Sequence, residues 1–437
     1  MKSINRVGMP LFIIGIVLFA GSACTSSGGQ TKTAGLTAIT NVRIFDGEYV
    51  MEERLVVISG STILAVGGEV PVGANVIDGH GATLLPGLMD SHVHTDMDGL
   101  KDALKFGVTT ELEMNGHWTK SQRQKISERN DIADVRSPEN AATAPGGHPT
   151  QYMADTNNLI LRWFYKYPAV SNPEEAVKFV DKQVAAGADY IKIIIEDGTV
   201  VGSRRRLPEL SDETIFALVE TAHAHGKMAI AHITTAAGAR RAIAAGVDGL
   251  AHLFFDNPQT SELIDEIAAS GIFVIPTTVT ASSAFGNSGA ALASDERVSS
   301  RLSKKWLESL SGTANVYPQG NLDDVFTNVK ALYDAGVDIL AGSDVSEPIS
   351  GLGGLAHGAS LHHELQLLVA AGLTPAEALR AATFVPASRF GLTDRGRIAP
   401  GVCADLLLVE GDPLTNISDT LNIRAVWHRG VQLATGK

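Results

Sequence analysis

Cysteine is nearly absent. The 437-residue chain has two, Cys24 and Cys403, too few for a disulfide framework. Basic residues are outnumbered, with 35 Lys and Arg against 48 Asp and Glu, a formal charge of −13. Arg204-Arg205-Arg206 is the only basic cluster, which excludes nucleic acid as a partner because phosphate binding needs a cationic face. Charged residues reach only 19% while hydrophobic residues reach 44%, which excludes a disordered chain. Glycine occurs 44 times without a three-residue period, so the chain is not collagen-like. The apolar run Val7 to Ala20 falls short of the ~20 residues that a membrane crossing takes. What remains is an acidic globular protein, long enough for one large domain and one small one.

Lys2 and Arg6 precede that apolar run and Gly21-Ser22-Ala23 follow it, the layout of a secretory signal. Thr25 to Thr33 is rich in Ser, Thr and Gly and reads as a flexible tether. Cys24, directly after the small residues, resembles the cysteine of a bacterial lipoprotein signal, which is lipidated and becomes the mature N-terminus. Gly21 stands where such signals usually carry Leu, so ordinary cleavage and an uncleaved anchor are the alternatives. The expected location is the bacterial cell envelope, lipid-anchored or periplasmic. Removing residues 1–23 takes away Lys2 and Arg6 and leaves 33 − 48 = −15. Cys403, within GVCADLLLV, then reads as a lone buried thiol on a strand.

Leu36 to Ala82 consists of short apolar runs broken by Gly and Asp-Gly turns, the pattern of a small antiparallel sheet. The C-terminal stretch from Arg397 repeats it, which predicts one small β domain assembled from both chain ends. Between them, roughly Leu88 to Leu392, strand-sized apolar runs alternate with helix-sized amphipathic stretches. The strands are GLMDSHVHT, GVTTELEM, a less obvious one near Ile132 to Arg136, ADYIKIII, KMAIAHI, GVDGLAHLF, GIFVIPTTV and VDILAGSD. Eight βα units in a row predict an α/β fold, a (β/α)8 TIM barrel, with a small β-sandwich beside it. The expected division is 1–23 signal, 24–35 tether, 36–86 and 393–437 β-sandwich, and 87–392 barrel. Ala281 to Gly320 is an insertion after strand seven, read as a partly helical lid.

Reactive groups in such a barrel sit at the C-terminal ends of strands. Strand one ends in His92-Val93-His94, and residues two apart on a strand point the same way. Strand four carries Lys192 inside an apolar run, where a buried charge needs a partner or a role. Strands five, six and eight end at His232, His252 and Asp344. Neutral imidazole and carboxylate suit zinc or a similar divalent metal. By contrast, His223 and His225 lie in the last turn of a helix, where positive charge is favoured for its own sake.

These segments resemble the amidohydrolase superfamily, and within it the imidazolonepropionase-like and Xaa-Pro dipeptidase-like branches. LLPGLMDSHVHT, ADYIKI and ILAGSD match the family's motifs on strands one, four and eight, with Ser343 where Thr is commoner. The longest matching stretch runs from Leu361 to Val431. The resemblance implies two divalent metal ions, expected to be Zn2+. His92, His94 and Asp344 would hold one, His232 and His252 the other, and a carboxylated Lys192 would bridge them. A metal-bridged hydroxide would attack a carbonyl carbon, with Asp344 shuttling the proton to the leaving nitrogen. The implied activity is hydrolysis of an amide or peptide-like bond, in a dipeptide or an N-acyl amino acid.

Cyclic-amide, lactone or ester hydrolysis on the same site is the first alternative, and a non-catalytic substrate-binding lipoprotein the second. Deamination fits less well, because HITTAAG lacks the Glu that single-metal deaminases carry after the strand-five His. Relatives often read Val-Arg-Asp after GVTT, whereas this chain reads Glu111-Leu112-Glu113, so Glu113 takes the aspartate's place. His148, in a Gly-Gly-His loop, is a candidate for contacting substrate or stabilising the oxyanion. Tyr152 and Arg204 are candidates for a substrate carboxylate. His357 and His362 read as helix residues behind the ligands. The expected partners are a small-molecule substrate and, through the lipid anchor, a membrane. A homo-oligomer is compatible with the sequence.

Overall fold

The computed structural model describes residues 35–151, 168–256, 260–348 and 353–434. The signal, the tether, Cys24 and Tyr152 lie outside the described residues. No helix among the described residues is long and apolar enough to cross a membrane.

Along the chain, the first segment supplies β1 (Thr37–Thr40), β2 (Arg43–Phe45), β3 (Val50–Met51), β4 (Leu55–Ser59), β5 (Thr62–Val66), β6 (Asn75–Asp78) and β7 (Thr83–Pro86). The middle supplies β8 (Leu88–Val93), β9 (Val108–Glu113), β10 (Asp134–Arg136), β11 (Ile191–Ile194), β12 (Ala229–His232), β13 (Gly249–Ala251) and β14 (Phe273–Ile275), interleaved with helices. The last segment supplies β15 (Leu406–Val409), β16 (Ile423–His428) and β17 (Val431–Gln432).

Both chain ends build one region. A six-stranded sheet runs β17-β16-β15-β7-β2-β3, so β15 from the C-terminal end pairs directly with β7 from the N-terminal end. A second sheet runs β5-β4-β1-β6. The alternation of the strands turns Ile39, Val56 and Ile58 of one sheet and Leu84, Leu406 and Trp427 of the other into a single apolar cluster. Cys403 is buried and bridges Thr62 across this region. Its sulfur is not a free thiol, which corrects the lone-thiol reading. Sequence separation says nothing about proximity after folding.

The strand ladders of the middle segment are parallel. β8, β9 and β10 form one ladder and β11 to β14 another. Isolated bridges join them: Ala142 to Ile193, Val274 to Ile339, and Val93 to Val345. The expected eighth strand therefore touches both neighbours without forming a continuous ladder. Two features explain this. Asp344 holds a left-handed backbone at φ 55°, and a side chain at Gly342 would collide with His92 and Ile275.

Alternation along β11 puts Ile191 and Ile193 against helices that include Phe179 and Leu218, while Tyr190 joins Leu112, Ile230, Phe273 and Leu340 on the other face. The helices form where caps and periodicity direct. Asn172 caps Pro173–Ala186, which stops at left-handed Gly187, and Ser211 caps Asp212–Ala224. The two parts of the molecule meet over buried Asp134, 2.7 Å from Arg395 and 3.4 Å from Arg429.

Candidate metal centre

The ends of the parallel strands bring the expected residues together. His92 Nε2 lies 3.2 Å and His94 Nε2 3.1 Å from the same oxygen of Asp344. One ligand atom from each of the three falls within 4.8 Å of the others. The rings of His92 and His252 lie 4.6 Å apart, those of His252 and His232 also 4.6 Å, and His148 stacks on His232 at 4.9 Å. Lys192 is buried, and neither its Nζ nor Nδ1 of His92 meets a hydrogen-bond partner. Orphaned donors of this kind are rare in a finished interior.

The electrostatics favour metal ligation. Burial, reinforced by Lys192 and neighbouring rings, holds His92 and His252 well below the usual imidazole range. Burial and Lys192 bring His232 down to about 3, and burial with His232 brings His148 to about 3. These rings are neutral, with lone pairs to offer. Burial lowers Lys192 to about 7. His94 runs the other way: burial pulls it down, but Asp344 and Glu113 raise it to about 9. A place that attracts a proton between two carboxylates attracts a cation for the same reason. The donor set therefore fits divalent metal.

Supporting residues, invisible as a local pattern, fix these side chains. Buried Asp90 accepts from the Ser343 hydroxyl at 2.6 Å, the Ser343 N–H at 2.9 Å and the His92 N–H at 3.2 Å, tying strand one to the turn before Asp344. Desolvation and the Glu111 charge lift Asp90 to about 7, against the pull of the Ser343 bonds. Thr277 Oγ1 lies 2.7 Å from Nδ1 of His252. The helix Thr278–Ala284 has no cap from its own chain neighbour. Buried Glu364 replaces it, accepting from the N–H groups of Thr278 at 3.0 Å and Val279 at 2.8 Å. Strand seven accordingly ends at Ile275, short of the expected Thr-Thr-Val, because Thr277 turns left-handed and the helix begins.

Other expected residues are distributed more widely. Glu113 is fully buried, 3.6 Å from Nδ1 of His94, and accepts from the Asn115 N–H at 2.8 Å. Arg204 is exposed, on the loop after β11, and makes no ion pair among the described residues. His357 pairs with Glu111 at 3.1 Å, and His362 bridges Thr420 and the Phe106 carbonyl, both at 2.9 Å, so neither converges on the ligands. His223 and His225 pair with Asp248 and Asp181. The insertion is partly helical as expected, with helices at Ala290–Ser294, Glu296–Ser299 and Lys304–Ser311, and packs through Leu292, Val298 and Leu310 against Phe106, Ala359 and Leu421.

Comparison with known proteins places the chain. Residues 83–433 match the family model described as "Amidohydrolase family". An ochratoxinase of Aspergillus niger is 24% identical over 432 residues, covering 88% of this chain and 82% of that one. A Xaa-Pro dipeptidase crystallised with methionine in its active site is 26% identical at a TM-score of 0.69, covering 91% of this chain and 100% of that one. Molinate hydrolase, 19% identical, matches at a TM-score of 0.73 over 92% of this chain and 95% of its own. This last likeness speaks for the fold, a TIM-barrel-type α/β architecture. The chain belongs to the amidohydrolase family, and is a hydrolytic enzyme acting on carbon–nitrogen bonds.

Proposed function

We propose that this enzyme cleaves an amide-like bond in a small substrate, a dipeptide or an N-acyl amino acid, at a two-metal centre. The observation that carries the reading is the convergence of His92, His94 and Asp344 beside a buried lysine whose Nζ has no partner. An unpaired buried ammonium is costly, whereas a carbamate on Nζ is an anion with two oxygens, one for each of two cations. In this reading His92, His94 and Asp344 would hold one ion, His232 and His252 would hold the second, and a carboxylated Lys192 would serve both. Zn2+ suits this N and O donor set. When bound, the ions polarise a carbonyl and acidify water.

The chain's own groups then divide the work. Asp344 is the most solvent-accessible carboxylate at the centre, with 19% of its side chain exposed, so it can reach the substrate side. It takes a proton from the attacking water and delivers it to the leaving nitrogen. His148, neutral and stacked on His232, donates an N–H toward the developing oxyanion. Glu113 orients His94, and exposed Arg204 meets a substrate carboxylate. Likeness to a dipeptidase over nearly the whole of both chains supports a dipeptide-sized substrate.

The same reading joins the two parallel ladders into a closed eight-stranded barrel over residues 87–392. It makes the two small sheets a β-sandwich from 36–86 and 393–437, and it places the enzyme in the bacterial cell envelope. The test is metal analysis of the purified protein, with hydrolysis of a panel of dipeptides, N-acyl amino acids, lactones and aryl esters. Two tightly bound metal equivalents and turnover of an amide are expected. Absence of bound metal, or turnover confined to esters or lactones, overturns the reading.

A further inference from the structure

Glu196 lies two residues beyond β11 and is buried, although nothing in the reaction outlined above uses it. Three contacts fix its carboxylate. Oε1 accepts from the N–H of Gly198 at 2.6 Å, and Oε2 accepts from the Thr234 hydroxyl and stands 3.4 Å from Nε2 of His232. Its oxygens do not join the convergent group formed by His92, His94 and Asp344. Glu196 thus touches a ligand histidine from behind.

A neutral imidazole carries one hydrogen, and whichever nitrogen holds it cannot ligate. We infer that Glu196 is a positioning residue. It accepts the Nε2–H of His232 and so leaves Nδ1 as the lone-pair nitrogen for the second cation. The neighbouring ring is engaged through its other nitrogen, since Thr277 Oγ1 lies against Nδ1 of His252. Two rings 4.6 Å apart are therefore engaged through opposite nitrogens by two different partners. This inference rests on the two-metal reading, and it adds a determinant of which nitrogen faces the metal.

The test begins with 15N spectra of the metal-free wild-type chain, the His232 signals being assigned by their loss in His232→Gln. Hydrogen on Nε2 is expected, and hydrogen on Nδ1 overturns the inference without any variant at position 196. Zn2+ titration of the chelator-stripped full chain follows, comparing wild type with Glu196→Gln. The wild type takes up two equivalents, and Glu196→Gln weakens one of them by about 10–100-fold while sparing the other. Equal weakening of both equivalents, or of neither, overturns the positioning role. A wild type that binds fewer than two equivalents overturns the two-metal reading itself, so the two failures are distinct.

Discussion

The hydroxyl of Thr277 stands 2.7 Å from Nδ1 of His252, and both residues hold a left-handed backbone, at φ 47° and 71°. Asp344 is a third residue at the centre in that region, at φ 55°. A side chain there costs about 1–2 kcal/mol, so the surroundings must hold it in place. For Thr277 they do so through the helix that follows, whose first N–H groups are bound by Glu364.

Thr277→Val keeps the shape and removes the hydroxyl. Metal affinity and kcat/KM are expected to fall by about 10–100-fold, while Thr277→Ser retains both. Parallel metal titration and steady-state kinetics check this, with circular dichroism to confirm the fold.

Under the proposed bridging role, Lys192→Ala is expected to lose metal and activity together. Metal analysis of the purified variant beside its activity decides. Full activity rejects the bridging role.

Asp344→Asn keeps the shape of the side chain and removes its basicity. Turnover should fall by about 10²–10⁴-fold, with substrate binding affected far less. Separate measurement of kcat and of inhibitor binding distinguishes the two, and an unchanged kcat removes Asp344 as the proton shuttle.

Asp134→Asn tests the joint between the large and small parts. Burial pushes the Asp134 carboxyl up, but Arg136, Arg395 and Arg429 together hold it far below the usual range. A depressed carboxylate stabilises the folded state at every pH above its unfolded value of about 3.9, and that stability fades as pH falls below it. The variant should therefore be less stable by about 3–5 kcal/mol at pH 7, with buried arginines left unpaired. The gap should stay level between pH 5 and 8 and narrow below about pH 4. Denaturant melts across this range measure it.

The residues that converge at the strand ends were legible because their signals are local. His92 and His94 follow from a period of two at a strand end, and Lys192 from a charge inside Tyr-Ile-Lys-Ile-Ile-Ile. Glu196, Thr277 and Glu364 were not legible. Their partners lie 36, 25 and 86 positions away, at His232, His252 and Thr278, and a contact across such spans leaves no periodicity behind. The eighth strand meets its neighbours only through isolated bridges for a related reason. ILAGSD is apolar enough to be a strand, but the left-handed turn at Asp344 is a tertiary requirement of the site, not a preference of the residue. The small sheets were recognisable as β from composition, whereas the arginines that clasp Asp134 sit 261 and 295 residues away from it.

The pairing of β7 with β15 has a consequence in time. On one edge β7 pairs with β2, but on the other Leu84 and Leu85 find Leu408 and Leu407, more than 300 positions later. During synthesis that edge of β7 must wait unsatisfied until β15 has emerged, and contacts of such long range are slow to close. Over that interval the half-built sheet is the stretch most open to misassembly with another chain. Its late completion makes the final residues a timer on when the enzyme becomes whole.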